Sequence, residues 1–357
     1  MKKIIIICIM LLIPINIKAI ETSATSAILV DIDSGRILYS KDIHNKRSIA
    51  SISKIMTAIL AIESNKLEDS VQIGSEIEKA YGSGIYIKQN EHMKLEDLVY
   101  GLMLRSGNDA ALSIACYVGE NVDKFVEMMN KKAQEIGMKN TIFKNPSGLD
   151  EEDGGNISTA YDMSLLISYA MKNDKFKEIV KTKKHNVETD MNVYSWTNKN
   201  KLLYKYKYAT GGKTGFTTIA RRTLVTTASK DNLNLAVVTL NDGNDFLDHE
   251  NLFEYAFENY KNYKILEKGI ITIPEEKNEK YEYYIENDYT YPLLEIETEN
   301  VLLKYKLEKN NPEKKGTIEV YLGDEKLHEE PILIREKQKK EKKTLFQKIK
   351  DWFKKLW

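Results

Sequence analysis

Between Ser51 and Glu63 the chain places apolar side chains at Ile52, Ile55, Met56, Ile59, Leu60 and Ile62. The spacing is helical, yet the apolar groups fall on nearly every face instead of one stripe. Such a helix has no side to show to water, so it must be central to a domain. Its first turn is the exception. Ser51 and Lys54 stand at i and i+3 on one face, which carries a hydroxyl and an amine to the edge of a core. The chain can build that core: of its 357 residues 42% are hydrophobic and 30% charged, enough for about two domains.

Around this helix the elements alternate. Ala27 to Asp31, the turn at Asp33-Ser34-Gly35 and Arg36 to Tyr39 read as a β-hairpin. Leu95 to Leu104 and Asp109 to Val118 read as helices, with Ser106, Gly107 and Asn108 in the turn between them. Asn145 to Asp150 is turn-rich, and Ser158-Thr159 followed by Asp162 reads as a capped helix start. Arg222 to Ser229 and Leu233 to Leu240 flank Lys230-Asp231-Asn232 as a second hairpin. The expected fold class is α+β, an antiparallel sheet with helices packed on it. Beyond Lys268 the runs are short and β-like (Gly269 to Ile273, Tyr281 to Ile285, Val301 to Leu307, Thr317 to Leu322), and no serine follows Ser229. That stretch reads as a small all-β domain without a serine nucleophile.

The two ends differ from the middle. Met1-Lys2-Lys3, the apolar run from Ile4 to Ile15 and Ile17-Lys18-Ala19 have the parts of a secretory signal, with cleavage expected after Ala19. The run is too short to cross about 30 Å of hydrocarbon as a helix. At the other end Leu345, Phe346, Ile349, Trp352, Phe353, Leu356 and Trp357 recur at helical spacing, and from Glu336 onward nine lysines face three acids. This reads as an amphipathic helix lying on an anionic membrane surface. The expected domains are therefore 1–19 (signal), 20–262 (main domain), 263–335 (β domain) and 336–357 (basic linker and anchor helix). Lysine plus arginine and aspartate plus glutamate both number 53, so no global field points to nucleic acid. Cys8 falls in the signal and leaves Cys116 alone, which excludes an internal disulfide in the mature chain. Cys116 itself reads as a buried small hydrophobe. The five histidines, scattered without His-x-x-x-His spacing, argue against a zinc peptidase, and no cofactor is expected.

Three short patterns carry the chemistry: Ser51-Ile52-Ser53-Lys54, Ser106-Gly107-Asn108 and Lys213-Thr214-Gly215. Only Ser51 has a lysine three residues on, and only Ser106 has an asparagine two residues on. A serine hydroxyl needs a base within about 2.6–3.2 Å, and Lys54 is one helical turn away. To accept a proton the amine must be neutral, which burial or a neighbouring cation brings about; Lys213 is the candidate cation. Ser51, at a helix start, also offers its own backbone N–H to a developing oxyanion.

In this motif set the chain resembles the penicillin-binding serine D-alanyl-D-alanine carboxypeptidases. The resemblance is carried by Ala50 to Ala58, Leu104 to Ala111, Asn145 to Leu149, Ser158 to Asp162 and Lys213 to Thr217, within Ser26 to Tyr260, and the β-rich region is similar to the family's C-terminal domain. It implies a β-lactamase/transpeptidase-like domain with a helical subdomain. It also implies that Ser51 attacks the bond between the two terminal D-alanines of a peptidoglycan stem peptide. Lys54 is then the general base, Ser106 and Asn108 relay protons and hold substrate, and Lys213 and Thr214 bind the terminal carboxylate. The backbone N–H groups of Ser51 and Phe216, beside Gly215, hold the oxyanion, and β-lactams acylate Ser51. Arg221 and Arg222 stand where many relatives have small residues; an arginine there either clamps the carboxylate or sits in solvent. Trp196 to Asn200 either lines the cleft or forms a polar loop, and Asp162 reads as a helix-start acid in preference to a deacylating carboxylate. A serine β-lactamase and a catalytically silent penicillin-binding sensor or wall scaffold remain the alternatives. Location at the outer face of the cytoplasmic membrane or in the cell wall follows from the two ends.

Overall fold

The computed structural model describes residues 20–150, 154–274, 281–308 and 314–337. The signal segment, Cys8 and the tail helix expected from Leu345 lie outside the described residues. Two compact units meet between Asn259 and Tyr260. In the first, strands β1 (Ser26–Asp31), β2 (Ile37–Lys41), β3 (Ala209–Thr217), β4 (Arg221–Lys230) and β5 (Leu233–Leu240) form one antiparallel sheet in the order β2-β1-β5-β4-β3. β1 is buried at every position and β5 at all but Asn234, which explains their near-continuous apolar runs: both faces of the sheet are covered. One face carries α7 (Asp245–Asn259), which packs on β4 and β5. The other carries a helical layer.

That layer is built around α1 (Lys54–Glu63), buried from Lys54 through Ile62. It is surrounded by α2 (Leu95–Arg105), α3 (Asn108–Gly119), α4 (Val122–Glu135), α5 (Ala160–Ala170) and α6 (Asp174–Lys181), all of which contact it. Each fully buried isoleucine or leucine on α1 contributes roughly 1.5–3 kcal/mol, so its all-round apolar sequence drives the assembly. Ser51 lies just ahead of α1, in a 3₁₀ turn over Ala50–Ser53. Cys116 on α3 is half-buried, less enclosed than its apolar neighbours in sequence led one to expect, and burial raises its thiol pKa above the ordinary value.

In the second unit, β6 (Tyr260–Leu266) pairs with β9 (Tyr289–Leu294), while β7 (Gly269–Ile271), β8 (Tyr281–Ile285), β10 (Val301–Leu307), β11 (Lys314–Leu322) and β12 (Glu325–Glu336) form a sheet in the order β7-β8-β12-β11-β10. The unit starts three residues ahead of the expected boundary because Tyr260 already opens β6. The sequence did not mark β9 and β12 as strands. Pro292 and Pro331 interrupt them and β12 is rich in charge, features that ordinarily argue against a strand. Leu266, Ile285, Ile318, Val320 and Ile332 supply the unit's core. No helix among the described residues is long and apolar enough to cross a membrane.

Candidate active site

The edge strand β3 runs past the 3₁₀ turn that carries Ser51. A Cβ on Gly215 would collide with the Thr223 hydroxyl and stand 3.0 Å from the Ser51 amide nitrogen, so only glycine lets strand and turn approach this closely. Ala50, immediately before Ser51, is held at a φ of 49°, and Ser106, after the last turn of α2, at 66°. Left-handed backbone of this kind costs about 1–3 kcal/mol at a non-glycine residue and persists where surrounding structure over-determines it. Both residues adjoin or carry the groups in question.

Lys54 is fully buried, and its Nζ stands 3.1 Å from Ser51 Oγ. It donates to Asn108 Oδ1 at 2.7 Å and to the backbone carbonyl of Ser147. Asn108 is oriented unambiguously, since its Nδ2 donates to the Tyr81 carbonyl. The Ser147 carbonyl is aimed by a loop that two asparagines hold: Asn145 Oδ1 accepts from the amides of Ser147 and Gly148, and Asn156 Oδ1 accepts from those of Lys144 and Asn145. Gly148, at a φ of 78°, lies so close to Ala50 that a Cβ would collide with its carbonyl. The Asn145 to Leu149 segment therefore serves to place one carbonyl beside the amine.

Lys213, also fully buried, reaches Ser106 Oγ at 3.1 Å and the Thr214 carbonyl at 2.7 Å. Burial lowers the Lys54 pKa well below its ordinary value, and the positive charges of Lys213 and Lys199 lower it further, against the opposing pull of Asp109. Burial, with Lys199 adding to it, brings Lys213 down to about 7. Asp109 makes no hydrogen bond to either amine. Its carboxylate is taken up by the amides of Ile85 and Tyr86, which fasten one wall of the cleft to the start of α3.

Ser51 and Ser106 open into a cavity of about 430 Å³. Ser83, Lys199 and Lys201 line it, and so do Thr214, Gly215, Phe216, Arg222, Asp245 and Phe246. Two cavities of similar size, about 330 and 410 Å³, hold none of the motif residues; chemistry singles out this one. The structure thus gathers Ser51, Lys54, Ser106, Asn108, Lys213, Thr214, Gly215 and Phe216 around one site. It separates the two arginines. Arg222 lines the cavity and is bound to Asp245, whereas Arg221 is exposed at the start of β4 and lies outside the lining.

Within the Trp196 to Asn200 stretch the work is divided. Trp196 is buried beside His185 and Tyr194, and Asn198 and Asn200 are buried and hydrogen-bonded to backbone, leaving Lys199 to reach the cleft and donate to Ser83 Oγ at 3.2 Å. Asp162 sits elsewhere, accepting from the Asn140 amide and the Thr141 hydroxyl while Thr159 caps its own amide. Sequence reasoning missed the Ser147 carbonyl, Ser83, Lys201 and Asp245. The carbonyl has no side-chain signature, but the buried asparagines flanking Lys199 were a usable signal. Among the described residues no three His, Cys, Asp or Glu side chains gather to hold a metal ion.

Chemically, the Lys54 surroundings disfavour its protonated form, through burial first and the neighbouring lysines second. Its Nζ meets three oxygens, Asn108 Oδ1, the Ser147 carbonyl and Ser51 Oγ, so an amine that has lost its extra proton keeps its two carbonyl-type acceptors and turns its lone pair to the Ser51 hydroxyl. Among the described residues that line the cavity the one carboxylate, Asp245, is committed to Arg222. The arrangement is equipped for acyl transfer to Ser51 with an amine as base.

The peptidase S11 family model, described as D-alanyl-D-alanine carboxypeptidase, matches residues 14–244. The D-alanyl-D-alanine carboxypeptidase DacF of Bacillus subtilis is 28% identical over 355 residues, covering 93% of this chain and 90% of that protein. A solved D-alanyl-D-alanine carboxypeptidase from Mycobacterium tuberculosis, 30% identical, aligns with a TM-score of 0.64 over 67% of this chain and 92% of its own. Penicillin-binding protein 6B from Escherichia coli, 26% identical, aligns with a TM-score of 0.72 over 89% of this chain and 97% of its own.

Proposed function

The chain belongs to the D-alanyl-D-alanine carboxypeptidase family, and on that premise we propose how its own residues release the terminal D-alanine of a peptidoglycan stem peptide. Ser51 Oγ attacks the carbonyl joining the two D-alanines as its proton passes to Lys54 Nζ. The backbone N–H groups of Ser51 and Phe216 receive the oxyanion. As the carbon–nitrogen bond breaks, Ser106 relays a proton to the departing amine, and Asn108 holds the substrate's peptide backbone. Lys213 and Thr214 hold the carboxylate of the leaving residue. Water then attacks the Ser51 ester, again giving its proton to Lys54. A β-lactam presents the same amide and carboxylate and leaves an ester on Ser51.

The observation that carries this reading is the pairing of a fully buried amine with the Ser51 hydroxyl at 3.1 Å, where among the described residues no carboxylate hydrogen-bonds to the amine. Mass spectrometry of muropeptides incubated with the protein tests it. The wild type is expected to remove one alanine from the pentapeptide, and Ser51→Ala to remove none. Alanine loss persisting in Ser51→Ala would contradict the assignment of Ser51 as nucleophile.

The remaining assignments concern place. We assign the reaction to an exported protein whose segment 1–19 is removed after Ala19 and whose segment 336–357 binds an anionic membrane surface. The support is the lysine-rich, amphipathic pattern of those residues. Vesicle sedimentation is expected to retain the full mature chain on anionic lipid and to lose a form ending at Lys343. Equal binding of both forms would contradict the anchor.

A further inference from the structure

Asn108 is gripped from one side by a stretch of irregular chain, Tyr81 to Tyr86. Its Nδ2 donates to the Tyr81 carbonyl and its backbone amide to the Ser83 carbonyl at 2.8 Å, so that its Oδ1 faces Lys54 Nζ at 2.7 Å. An amide nitrogen carries two hydrogens, and among the described residues the second is left for a substrate carbonyl. Ser83 lines the cavity beside Ser51, so the same stretch is a wall of the cleft. No strand ladder holds this loop, and its last residue, Tyr86, stands at a φ of 64° with its side chain exposed. Left-handed backbone costs a tyrosine about 1–3 kcal/mol and persists only where the surroundings impose it.

The next residue on α3 imposes it. Asp109 is buried, and its Oδ2 accepts from the Ile85 amide at 3.0 Å and from the Tyr86 amide at 2.7 Å. Oδ1 accepts from Ile85 as well and from the Ala110 amide at 2.9 Å, in the first turn of α3, where free N–H groups favour a carboxylate. Glycines make the room: a Cβ on Gly84 would stand 3.1 Å from Oδ2, and one on Gly107 2.8 Å from Oδ1. Two adjacent residues thus engage the two ends of one loop. The carbonyls at its start hold Asn108, and Asp109 holds the amides at its end. By charge alone Asp109 works against the base, since it raises the Lys54 pKa that burial lowers. Its grip and its charge therefore predict effects of opposite sign.

We propose that Asp109 is a positioning residue: it fixes the loop from Tyr81 to Tyr86, whose carbonyls aim Asn108 at Lys54 and keep its second N–H available to the substrate. This rests on the acyl-transfer reading given above. Asp109 hydrogen-bonds to none of the reacting groups and acts through Asn108. Its charge is spent on backbone amides, which makes the loop a fixed wall and spares the amine a hydrogen-bonded counter-ion.

The rate of Ser51 acylation by a fluorescent penicillin, measured on the full mature chain below its melting range, tests the proposal. Asp109→Ala, which removes both oxygens, is expected to lower that rate about tenfold to a hundredfold, as for lost hydrogen bonds to a charged group. Asp109→Asn is expected to recover most of the loss, because one oxygen in the place of Oδ2 still reaches both loop amides. In an Asn108→Ala background, Asp109→Ala is expected to change the rate by less than about twofold. A rate raised or unchanged by Asp109→Ala would overturn the proposal, because that is the outcome of charge acting alone. So would an Asp109→Asn protein as slow as Asp109→Ala, or a loss undiminished in the Asn108→Ala background. Where Asp109→Ala does not fold, which its melting curve reveals, Gly84→Ala decides. Its methyl crowds Oδ2 with Asp109 in place and is expected to slow acylation about threefold, as for a small displacement of a positioning group; a rate equal to the wild type's would overturn the proposal. A wild type left unacylated at Ser51 would overturn the acyl-transfer reading and this proposal with it. An acylated wild type whose rate was indifferent to Asp109 would overturn this proposal alone.

Discussion

The two units of this chain each bury charged groups, and at Glu319 and at the Lys54–Lys213 pair they do it in opposite ways. In the second unit the Glu319 side chain is 2% exposed, and Lys306 and Lys326 both bind its carboxylate. Their hydrogen bonds, with a further one from Tyr321, hold its pKa down to about 2. In the first unit Lys54 and Lys213 are equally enclosed, but among the described residues neither hydrogen-bonds to a carboxylate; their partners are hydroxyls, an amide and carbonyls. Burial lowers both amines instead, helped by the positive charges of Lys213 and Lys199 at Lys54 and of Lys199 at Lys213. At Glu319, where charge serves structure, it is matched. At Lys54, where an amine must change protonation to work, the fold places no hydrogen-bonded counter-charge among the described residues and accepts a less stable core.

The largest effect that tests this contrast is on Lys54. Lys54→Met is expected to lower the rate of Ser51 acylation by a fluorescent penicillin by about a thousandfold, the scale of a lost general base. The same variant is expected to melt at a higher temperature than the wild type, because an unmatched amine has been replaced by an apolar chain of similar length. A Lys54→Met protein that lost activity and stability together would break the comparison.

Next in size is the pH dependence of stability. The folded value of Lys213, about 7, lies below the 10.5 of an exposed lysine, so between those values the unfolded chain holds the extra proton. Stability must then rise with pH through that window, by up to about 1.4 kcal/mol per pH unit for one group. Urea unfolding of wild type and Lys213→Met from pH 7 to pH 10 is expected to show the wild type gaining on the variant. A constant difference would mean that Lys213 is not depressed.

The smallest effect on activity belongs to Glu319. Its folded pKa lies below 4.5, so its contribution is complete above the unfolded value and disappears as pH falls through about 2. Glu319→Gln is expected to lower the melting temperature at neutral pH, to leave turnover of short peptides unchanged, and to match the wild type in stability near pH 2. A catalytic defect in this variant would show that the division between matched and unmatched charge is drawn in the wrong place.

What could be read from the sequence follows the same line. Ser51, Lys54, Ser106 and Asn108 were legible because local periodicity put them at helix starts and turns, and the hairpins were legible because their strands alternate around turn residues. The centrality of α1 followed from its all-round apolar surface alone. The Ser147 carbonyl was not legible, since the loop that aims it depends on Asn145 and Asn156 meeting across a turn. Asp245 was hidden because its meaning depends on Arg222, brought beside it by strand register and not by spacing. β12 was hidden because its charges, inappropriate for an isolated strand, are neutralised across the sheet: Lys326 binds Glu319 on the neighbouring strand.

The central claim is that Lys54 is a neutral amine at working pH because burial and Lys213 expel its proton. Titration of the lysine side-chain NMR signals in protein carrying ¹³C at lysine Cε measures this directly, with Lys54 assigned by its loss in Lys54→Met. The account predicts a Lys54 pKa well below 10.5, rising when Lys213 is replaced by methionine. A Lys54 signal that titrates at or above 10.5, unmoved by loss of Lys213, would contradict it.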